Sequence, residues 1–379
     1  MDGIAGFLGE HLKAVLHVDV EGMKKKVQLF LKRLPMYNKD KAKFIDEQHF
    51  FEREKLLFKV WEEICGESDD PKPCCVKAYI YTDTMIVMPD LAAEGYKSTN
   101  YLHTLDLEHI FVVTATVARF HAGFVNYETK KSIDRRRPYN TFEEYGHILT
   151  ETMCESKWLN SVSKLSLSIL KAFSSKGYSD LPDLESQLRS RLTEACDTLI
   201  EHKDTLNVLL HRDLWVNNIM FKYDNDVPVN AVLVDYQLIR YGPPAFDLML
   251  LMNLTTDRSF REKYENDVFD YYYSLFVNNL SEDSKARLEG LDYDKEKFLR
   301  WCEKARMFGM LVSIAIYPFI LMDPKTAQKT FDDPETFDKH VFDDRSEPVV
   351  AYANTNEIYK QRNLAIVEEF VERYVLKQL

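Results

Sequence analysis

The fold of this chain is decided by Val208-Leu209-Leu210-His211-Arg212-Asp213-Leu214-Trp215-Val216-Asn217-Asn218-Ile219-Met220-Phe221, followed by Ala231-Val232-Leu233-Val234-Asp235-Tyr236-Gln237. Each apolar run is typical of a buried strand, and each leads into a polar residue that an apolar run alone does not require. Phosphoryl transfer needs a carboxylate that orients the acceptor hydroxyl, together with an amide oxygen and a second carboxylate that hold magnesium. The spacing His-x-Asp-x-x-x-x-Asn, followed by a strand-terminal Asp, supplies this set in order.

The same residues also have a simpler interpretation. Asp and Asn in loops are more often turn formers or helix caps than metal ligands. One such residue alone would carry little weight. Here His211, Asp213 and Asn218 are in register, and Asp235 ends the next apolar run. The joint spacing therefore predicts a kinase-type nucleotide site.

The motifs resemble the ecdysteroid-kinase-like family of insects, a branch of the aminoglycoside phosphotransferase and choline kinase group. The resemblance rests on His-Arg-Asp-Leu-Trp-Val-Asn-Asn-Ile-Met-Phe, on Val-Asp-Tyr-Gln and on Arg-Tyr-Gly-Pro-Pro-Ala-Phe-Asp-Leu. It implies that Asp213 is the catalytic base, that Asn218 and Asp235 are magnesium ligands, and that Asp247 is a structural carboxylate supporting the loop. Arg212 is a departure, because the family usually has Gly there, and this arginine is more similar to protein kinases.

Composition narrows the class of partner. The chain has 379 residues, of which 45% are hydrophobic, enough for two lobes or one large domain. Its formal net charge is −12. A protein that binds phosphate backbones normally has a basic face, so we expect no nucleic-acid partner.

The sequence also predicts a cytoplasmic location. Its first ten residues lack the basic and apolar pattern of a signal peptide. The most apolar run, Gly309 to Met322, contains Pro318 and is too short to span a bilayer, so no membrane partner is expected. No obligate protein partner is evident. Reduced, mostly packed thiols are predicted for the six cysteines, Cys65, Cys74, Cys75, Cys154, Cys196 and Cys302.

Glycines precede the first predicted strand, which covers residues 14–20. Gly6 and Gly9 would let the backbone approach phosphates with its amides exposed. A flexible terminus is an equally simple interpretation, but the resemblance favours a phosphate loop. Only Met1 to Ala5 remain for a strand before this loop, whereas the family generally has a longer leader. We therefore expect weakened nucleotide binding.

A lysine and a glutamate are predicted to pair. Lys32 ends a second strand, and Phe51, Glu54, Phe58 and Trp61 recur at helical spacing with one carboxylate among apolar residues. The pattern alone allows both to be solvated charges. The resemblance, which has a strand lysine and a helix glutamate at matching places, favours an ion pair that positions Lys32 for the nucleotide phosphates.

A hairpin around Asp83 leads to Met88-Pro89-Asp90-Leu91, which resembles the hinge between two lobes. Family members commonly have Glu-Asp-Leu there, with backbone groups that hold adenine. Pro89 cannot donate a hydrogen bond. Candidate adenine contacts are therefore the carbonyl of Met88 and the amide of Asp90 or Leu91.

Only eleven residues separate Asp235 from Asp247. This segment is too short for the activation segment of a protein kinase, and Ala-Pro-Glu is missing from it. The cleft is therefore expected to admit a small acceptor. Aromatic residues in the helical regions 269–276 and 298–321 are usually core, but they could form an apolar wall for a steroid-sized alcohol. Residues 332–344 are predicted to form a solvated acidic loop.

Together these features predict an α+β, two-lobed, protein-kinase-like fold. Residues 1–88 would form a small β-rich lobe with one helix, and residues 89–379 a larger, mainly helical lobe. The resemblance implies ATP- and Mg²⁺-dependent phosphate transfer to a hydroxyl of a small apolar molecule, either an ecdysteroid or related steroid or a xenobiotic alcohol. Two alternatives remain at this point: a protein kinase, suggested by Arg212, and a catalytically silent nucleotide-binding scaffold.

Overall fold

The structure is a computed structural model that describes residues 9–36, 39–66, 70–150, 158–198, 202–331, 333 and 335–376. Its strands are β1 (Glu10–Val20), β2 (Met23–Arg33), β3 (Ile80–Tyr81), β4 (Met85–Pro89), β5 (Tyr96–Lys97), β6 (Val208–Leu210), β7 (Ile219–Asp224), β8 (Val227–Leu233) and β9 (Arg240–Gly242).

Its α-helices are α1 (Lys39–Glu47), α2 (Phe50–Cys65), α3 (Leu107–Arg135), α4 (Thr141–Leu149), α5 (Trp158–Phe173), α6 (Leu184–Asp197), α7 (Ala245–Thr255), α8 (Arg258–Asn278), α9 (Glu282–Gly290), α10 (Lys295–Ile320), α11 (Pro324–Phe331), α12 (Ser346–Ala353) and α13 (Glu357–Phe370). A small sheet-rich lobe is followed by a larger helical lobe. The predicted α+β, two-lobed architecture is confirmed.

The N-terminal sheet has the strand order β1-β2-β4-β3. β1 and β2 form a long hairpin, and β4 pairs with β2 only over Leu29–Arg33. Side chains alternate across a strand, so Phe30 and Lys32 lie on the same face. β4 continues through Pro89, opposite Leu29. The sheet thus extends one residue beyond the division predicted after Met88.

Two helices, not one, follow the hairpin. α2 contains the predicted stripe, and its buried residues include Phe51, Glu54, Phe58 and Trp61. The additional helix, α1, is short and rich in charge. Ile45 is its one deeply buried hydrophobic residue.

The larger lobe is built around two helix pairs. α3 packs against α8, and α7 packs against α10. The residues of α7 are buried along its whole length. Gly309 allows the close approach of α10, because a Cβ there would lie 2.8 Å from the Met249 carbonyl oxygen of α7. The two helices therefore fix Asp247, near the start of α7, against the rest of the lobe.

The segment after α11 is more ordered than the acidic loop that the sequence predicts. Lys339–Asp343 form a π-helical turn, and Val341 is buried. Arg345 follows this turn and is fully buried. Burial of these residues against the helical lobe outweighs the local acidic composition. Residues 332 and 334 lie outside the described residues.

No single helix in the described part of the chain is both long enough and apolar enough to cross a bilayer. Two consecutive helices, Lys295–Ile320 and Pro324–Phe331, are together long enough and apolar enough to do so, but the second is bent by 101° from the first.

Candidate active site

Asp247 holds the loop that carries the predicted catalytic base. Its side chain is completely buried and accepts hydrogen bonds from the amides of His211, at 2.7 Å, and Arg212, at 2.8 Å. His121 lies 3.1 Å from the same carboxylate and contacts Tyr272 through its other ring nitrogen. These contacts fix the loop after β6, in the structural position that the resemblance implies for Asp247.

Asp213 and Asn218 contact each other directly. The Asn218 side-chain nitrogen donates to the Asp213 carboxylate at 2.8 Å and to the Asp213 carbonyl at 2.9 Å. Burial raises the pKa of Asp213 to about 7, and the nearby Asp235 carboxylate acts in the same direction. Arg212 and the hydrogen bond from Asn218 oppose this rise. A carboxyl group with a pKa near neutrality is suited to exchange a proton with a substrate hydroxyl.

Arg212 occupies a backbone conformation that glycine adopts without strain, with a φ of 70°. This explains why a glycine would suit the position. Its guanidinium carbon lies 4.3 Å from the ring centroid of Phe308, on α10. Arg212 is thus stacked against the helical lobe beside Asp213.

Lys32 joins the two lobes at the site. Its ammonium group lies 2.8 Å from a Glu54 carboxylate oxygen and 2.7 Å from an Asp235 carboxylate oxygen. The Lys32–Glu54 ion pair predicted from the sequence is therefore present. Burial disfavours the charge of Lys32, but Asp235 and Glu54 outweigh it and raise the pKa. Burial likewise opposes the charge of Asp235, but Lys32 keeps the Asp235 pKa below its ordinary value.

Two neighbours of Asp235 also contact this pair, and no pattern in the sequence indicated either contact. The Tyr236 amide donates to the second Glu54 oxygen at 3.2 Å. The Gln237 side-chain oxygen accepts from Lys32 at 3.1 Å. Over 200 residues separate Lys32 from Gln237, so no local pattern could have paired them.

Gly9 lies directly over Lys32. A Cβ at Gly9 would be 3.2 Å from Lys32 Cγ and 3.5 Å from His11 Nε2. Burial lowers the pKa of His11 to about 4, so its ring is neutral at physiological pH, and it packs 5.3 Å from the Phe30 ring. A side chain at Gly9 would therefore press on Lys32, and glycine leaves room for it. The other predicted glycine, Gly6, lies outside the described residues.

At the expected hinge, Asp90 is engaged in other contacts. Its amide donates to the Gln28 carbonyl at 3.0 Å, and its carboxylate pairs with Lys13 at 2.8 Å. The Asp90 amide is therefore occupied by the sheet. Met88 is buried in β4 opposite Phe30. Hydrogen-bonded pairs alternate along an antiparallel ladder, so the Met88 carbonyl opposite Phe30 is also occupied by the sheet, and only the Leu91 amide remains a candidate adenine contact.

The residues near Asp213 have the ligand types that magnesium prefers. Within the described residues, no group of three or more His, Cys, Asp or Glu side chains could hold a metal by itself. Magnesium, however, is typically bound through one or two carboxylates together with substrate phosphates and water. Asn218 lies next to the end of β8, because its carbonyl accepts from the Val234 amide. Asn218 and Asp235 thus offer an amide oxygen and a carboxylate from adjacent segments.

Three aromatic residues from the regions expected to form an apolar wall lie in the core instead. Tyr272, Phe276 and Phe298 stack on one another and are completely buried, so they belong to the core. Trp215 is half-buried. Its amide donates to the Asp213 carbonyl at 3.1 Å, and this three-residue turn brings both residues together around the buried Leu214.

Comparisons with solved structures show distant similarity. The chain is 10% identical to ethanolamine kinase from Plasmodium vivax, with 92% of this chain and 83% of that one covered and a TM-score of 0.40. The chain is 14% identical to choline kinase LicA from Streptococcus pneumoniae, with 90% of this chain and 94% of that one covered and a TM-score of 0.43. It is 16% identical to an ADP-bound aminoglycoside phosphotransferase, APH(2'')-Ib, with 79% of this chain and 94% of that one covered and a TM-score of 0.34.

Curated proteins were also compared, and none matches the sequence. One protein family matches most of the chain. Residues 4–283, which include Lys32, Glu54, Asp213, Asn218 and Asp235, match the ecdysteroid kinase-like family. The chain belongs to the ecdysteroid kinase-like family.

Proposed function

We propose that this protein transfers the γ-phosphate of ATP, with magnesium, to a hydroxyl group of a small apolar molecule. The acceptor class is an ecdysteroid, a related steroid or a xenobiotic alcohol, and the reaction takes place in the cytoplasm. In this proposal residues 1–88 bind the nucleotide, and residues 89–379 supply the catalytic loop, the metal ligands and the acceptor pocket. Family membership supports the kinase class.

One observation carries the proposal. Lys32, from the small lobe, contacts Asp235 at 2.7 Å, and Asn218 contacts Asp213 at 2.8 Å in the larger lobe. Residues from three distant parts of the sequence thus form one site with the groups that phosphoryl transfer requires: a base, two metal-type oxygen ligands and a cation. A stable fold alone does not require a carboxylate with a raised pKa beside a second buried carboxylate.

Each residue has a separate role in the proposed reaction. Asp213 accepts the proton of the acceptor hydroxyl while the acceptor oxygen bonds to the γ-phosphorus and the bond to the β-phosphate oxygen breaks. Asn218 holds Asp213 in place and, with Asp235, would hold magnesium. The metal, when bound, supplies positive charge that offsets the charge of the phosphates. Lys32 donates to the phosphates, and Glu54 keeps Lys32 in position.

The acceptor side is supported by residues around Asp213. Trp215 presents a half-buried indole in the turn that contains Asp213. Arg212 is held against Phe308 and so borders the same region. An aromatic surface beside the base is suited to a ring-containing, mostly apolar alcohol.

The direct test is mass spectrometry of a small-molecule panel after incubation with the protein, ATP and magnesium. The panel contains ecdysteroids, sterols, plant phenolics and a set of polar amino alcohols. We expect a phosphate adduct on an apolar alcohol. The Asp213→Asn variant keeps the volume of the side chain but loses the base, and we expect it to form adduct about 10²–10⁴ times more slowly.

Asp224→Asn is the matched control, because Asp224 ends β7 on the surface. It should form adduct at the wild-type rate. Phosphate on added proteins and on none of the small molecules would favour a protein kinase instead. MgATP binding without any transfer would favour a silent nucleotide-binding scaffold.

A further inference from the structure

The segment from Asp235 to Gln237 contacts the Lys32–Glu54 pair at three consecutive residues. The Asp235 carboxylate and the Gln237 oxygen both accept from Lys32, at 2.7 and 3.1 Å. Between them, the Tyr236 amide donates to Glu54 at 3.2 Å. Lys32 is only 3% exposed and Gln237 only 8% exposed, so these contacts are shielded from water.

All three ammonium hydrogens of Lys32 are used in this arrangement. A lysine has three donors, and Glu54, Asp235 and Gln237 each accept one. A phosphate oxygen can therefore bond to Lys32 only when one acceptor is given up. Asp235 is the partner that the proposed reaction would recruit for magnesium, whereas Glu54 and Gln237 have no other role in it.

The third acceptor of Lys32, the Gln237 side-chain oxygen, differs from the two carboxylates because it carries no charge. With Asp235 engaged elsewhere, Lys32 and Glu54 form a neutral pair, and an amide oxygen at Gln237 adds no charge. A carboxylate in the same place would leave the group with a net charge of −1 beside the incoming phosphates. Like charges in a shielded site repel strongly. Gln237 can therefore hold Lys32 without competing with the nucleotide for its charge.

We propose that Gln237 is a positioning residue, whose neutral side-chain oxygen holds Lys32 in place for the nucleotide phosphates when Asp235 turns to the metal. This inference rests on the proposed function, because it assigns Gln237 a role in the same nucleotide site. It concerns binding of the nucleotide, and not the transfer step or the choice of acceptor.

Two variants test it by equilibrium binding of MgATP, measured by calorimetry on the full chain. Gln237→Leu removes the acceptor, and Gln237→Glu keeps an acceptor but adds a charge. We expect both to raise the Kd for MgATP by about tenfold, Gln237→Leu because it loses one hydrogen bond to a charged group and Gln237→Glu because it places a like charge beside the phosphates. Gln361→Leu, on the exposed face of α13, is the matched control and should bind like the wild type.

Thermal unfolding without nucleotide accompanies the binding data. A purely structural role would lower the melting temperature of Gln237→Leu and leave the Kd unchanged. The inference is overturned if either folded variant binds MgATP within twofold of the wild type. If Gln237→Leu does not fold, Gln237→Glu, which keeps nearly the same volume, decides alone. Failure of the wild type to bind MgATP would instead overturn the proposed function, and this inference with it.

Discussion

Lys32 and Arg345 are both buried cations, but their surroundings differ in charge. Lys32 lies between the carboxylates of Glu54 and Asp235. Arg345 donates to the carbonyls of Ala315, at 3.1 Å, and Val341, at 2.8 Å, and stacks on an aromatic ring. Burial lowers the pKa of Arg345 to about 9, whereas the carboxylates raise that of Lys32. The same kind of group is thus held by charges in one region and by neutral dipoles in the other.

The two environments suit different purposes. Pro318 lacks an amide hydrogen, so the Ile314 carbonyl of α10 loses its helical donor, and Arg345 donates to the next carbonyl in that turn, that of Ala315. Arg345 donates to two backbone carbonyls and the Ser161 hydroxyl, which are fixed parts of the helical lobe. Lys32, by contrast, is held by two carboxylates, one of which a metal could engage while phosphates engage Lys32 itself. Buried charge paired with charge can be redistributed when a ligand binds, whereas charge held by backbone carbonyls stabilises one fixed structure.

Removing Lys32 should have the largest effect on stability. Lys32→Met leaves Glu54 and Asp235 buried without their cation, which typically costs about 3–5 kcal/mol. Urea unfolding at neutral pH measures this loss. The double variant Lys32→Met with Glu54→Gln removes one of the stranded charges and should recover part of the stability. Wild-type stability in the single variant would show that the carboxylates do not depend on Lys32.

Removing Arg345 should cost less, because the groups left behind are neutral. Arg345→Met leaves two carbonyls and the Ser161 hydroxyl without their donor, with an expected loss of about 1–3 kcal/mol by urea unfolding. MgATP binding should stay at the wild-type level. A loss as large as that of Lys32→Met would contradict the distinction between the two regions.

A substitution at Gly309 tests how closely α10 must pack against α7. This helix connects the two regions, because it contacts Arg212 through Phe308 and Arg345 through Ala315. Gly309→Ala places a Cβ 2.8 Å from the Met249 carbonyl oxygen. The forced separation of α7 and α10 should lower the unfolding free energy by about 1–3 kcal/mol. Gly290→Ala, where an added Cβ meets nothing within 4 Å, is the control. Equal stability of the two variants would show that the helices can move apart freely.

A surface cluster should give the smallest effect. Glu372 accepts hydrogen bonds from Arg258, Lys176 and Tyr178. Burial opposes its charge, but these partners lower the pKa of Glu372 to about 2. A carboxyl whose pKa falls on folding stabilises the protein above its unfolded pKa, near 4.5, and loses this contribution as the pH falls towards 2.

Glu372→Gln should therefore lower stability by about 1 kcal/mol or less at neutral pH, because its partners are partly exposed. The difference from the wild type should shrink between pH 4.5 and pH 2, as followed by urea unfolding across this range. A difference that does not change with pH would show that the charge of Glu372 is not what stabilises this cluster.

The sequence predicted those parts of the site that have local signals. Asp213 and Asn218 have fixed spacing, Asp235 ends an apolar run, and Glu54 is a carboxylate in an apolar helical stripe. Each signal comes from the few residues around it. The β3–β4 hairpin could be predicted for the same reason, whereas the local pattern left the Lys32–Glu54 pair open and only the family resemblance favoured it.

Contacts set by tertiary packing could not be predicted in this way. Gln237 and His121 look like ordinary polar residues until the lobes and helices bring Lys32 and Asp247 to them. Arg345 follows an acidic segment that resembles a solvated loop, and its burial involves contacts with Ala315 and Ser161, which are distant in the sequence. The Asp90 amide was available in the sequence and is occupied in the sheet, because β2 extends to meet it.

The most direct test of this account compares the melting temperatures of the wild type, Lys32→Met and Arg345→Met with and without MgATP. A ligand at 100 times its Kd stabilises a protein by about 2.7 kcal/mol. MgATP should therefore raise the melting temperature of the wild type and of Arg345→Met by similar amounts, and should have little effect on Lys32→Met. An equal rise in Lys32→Met, or no rise in Arg345→Met, would contradict the assignment of Lys32 to the nucleotide site.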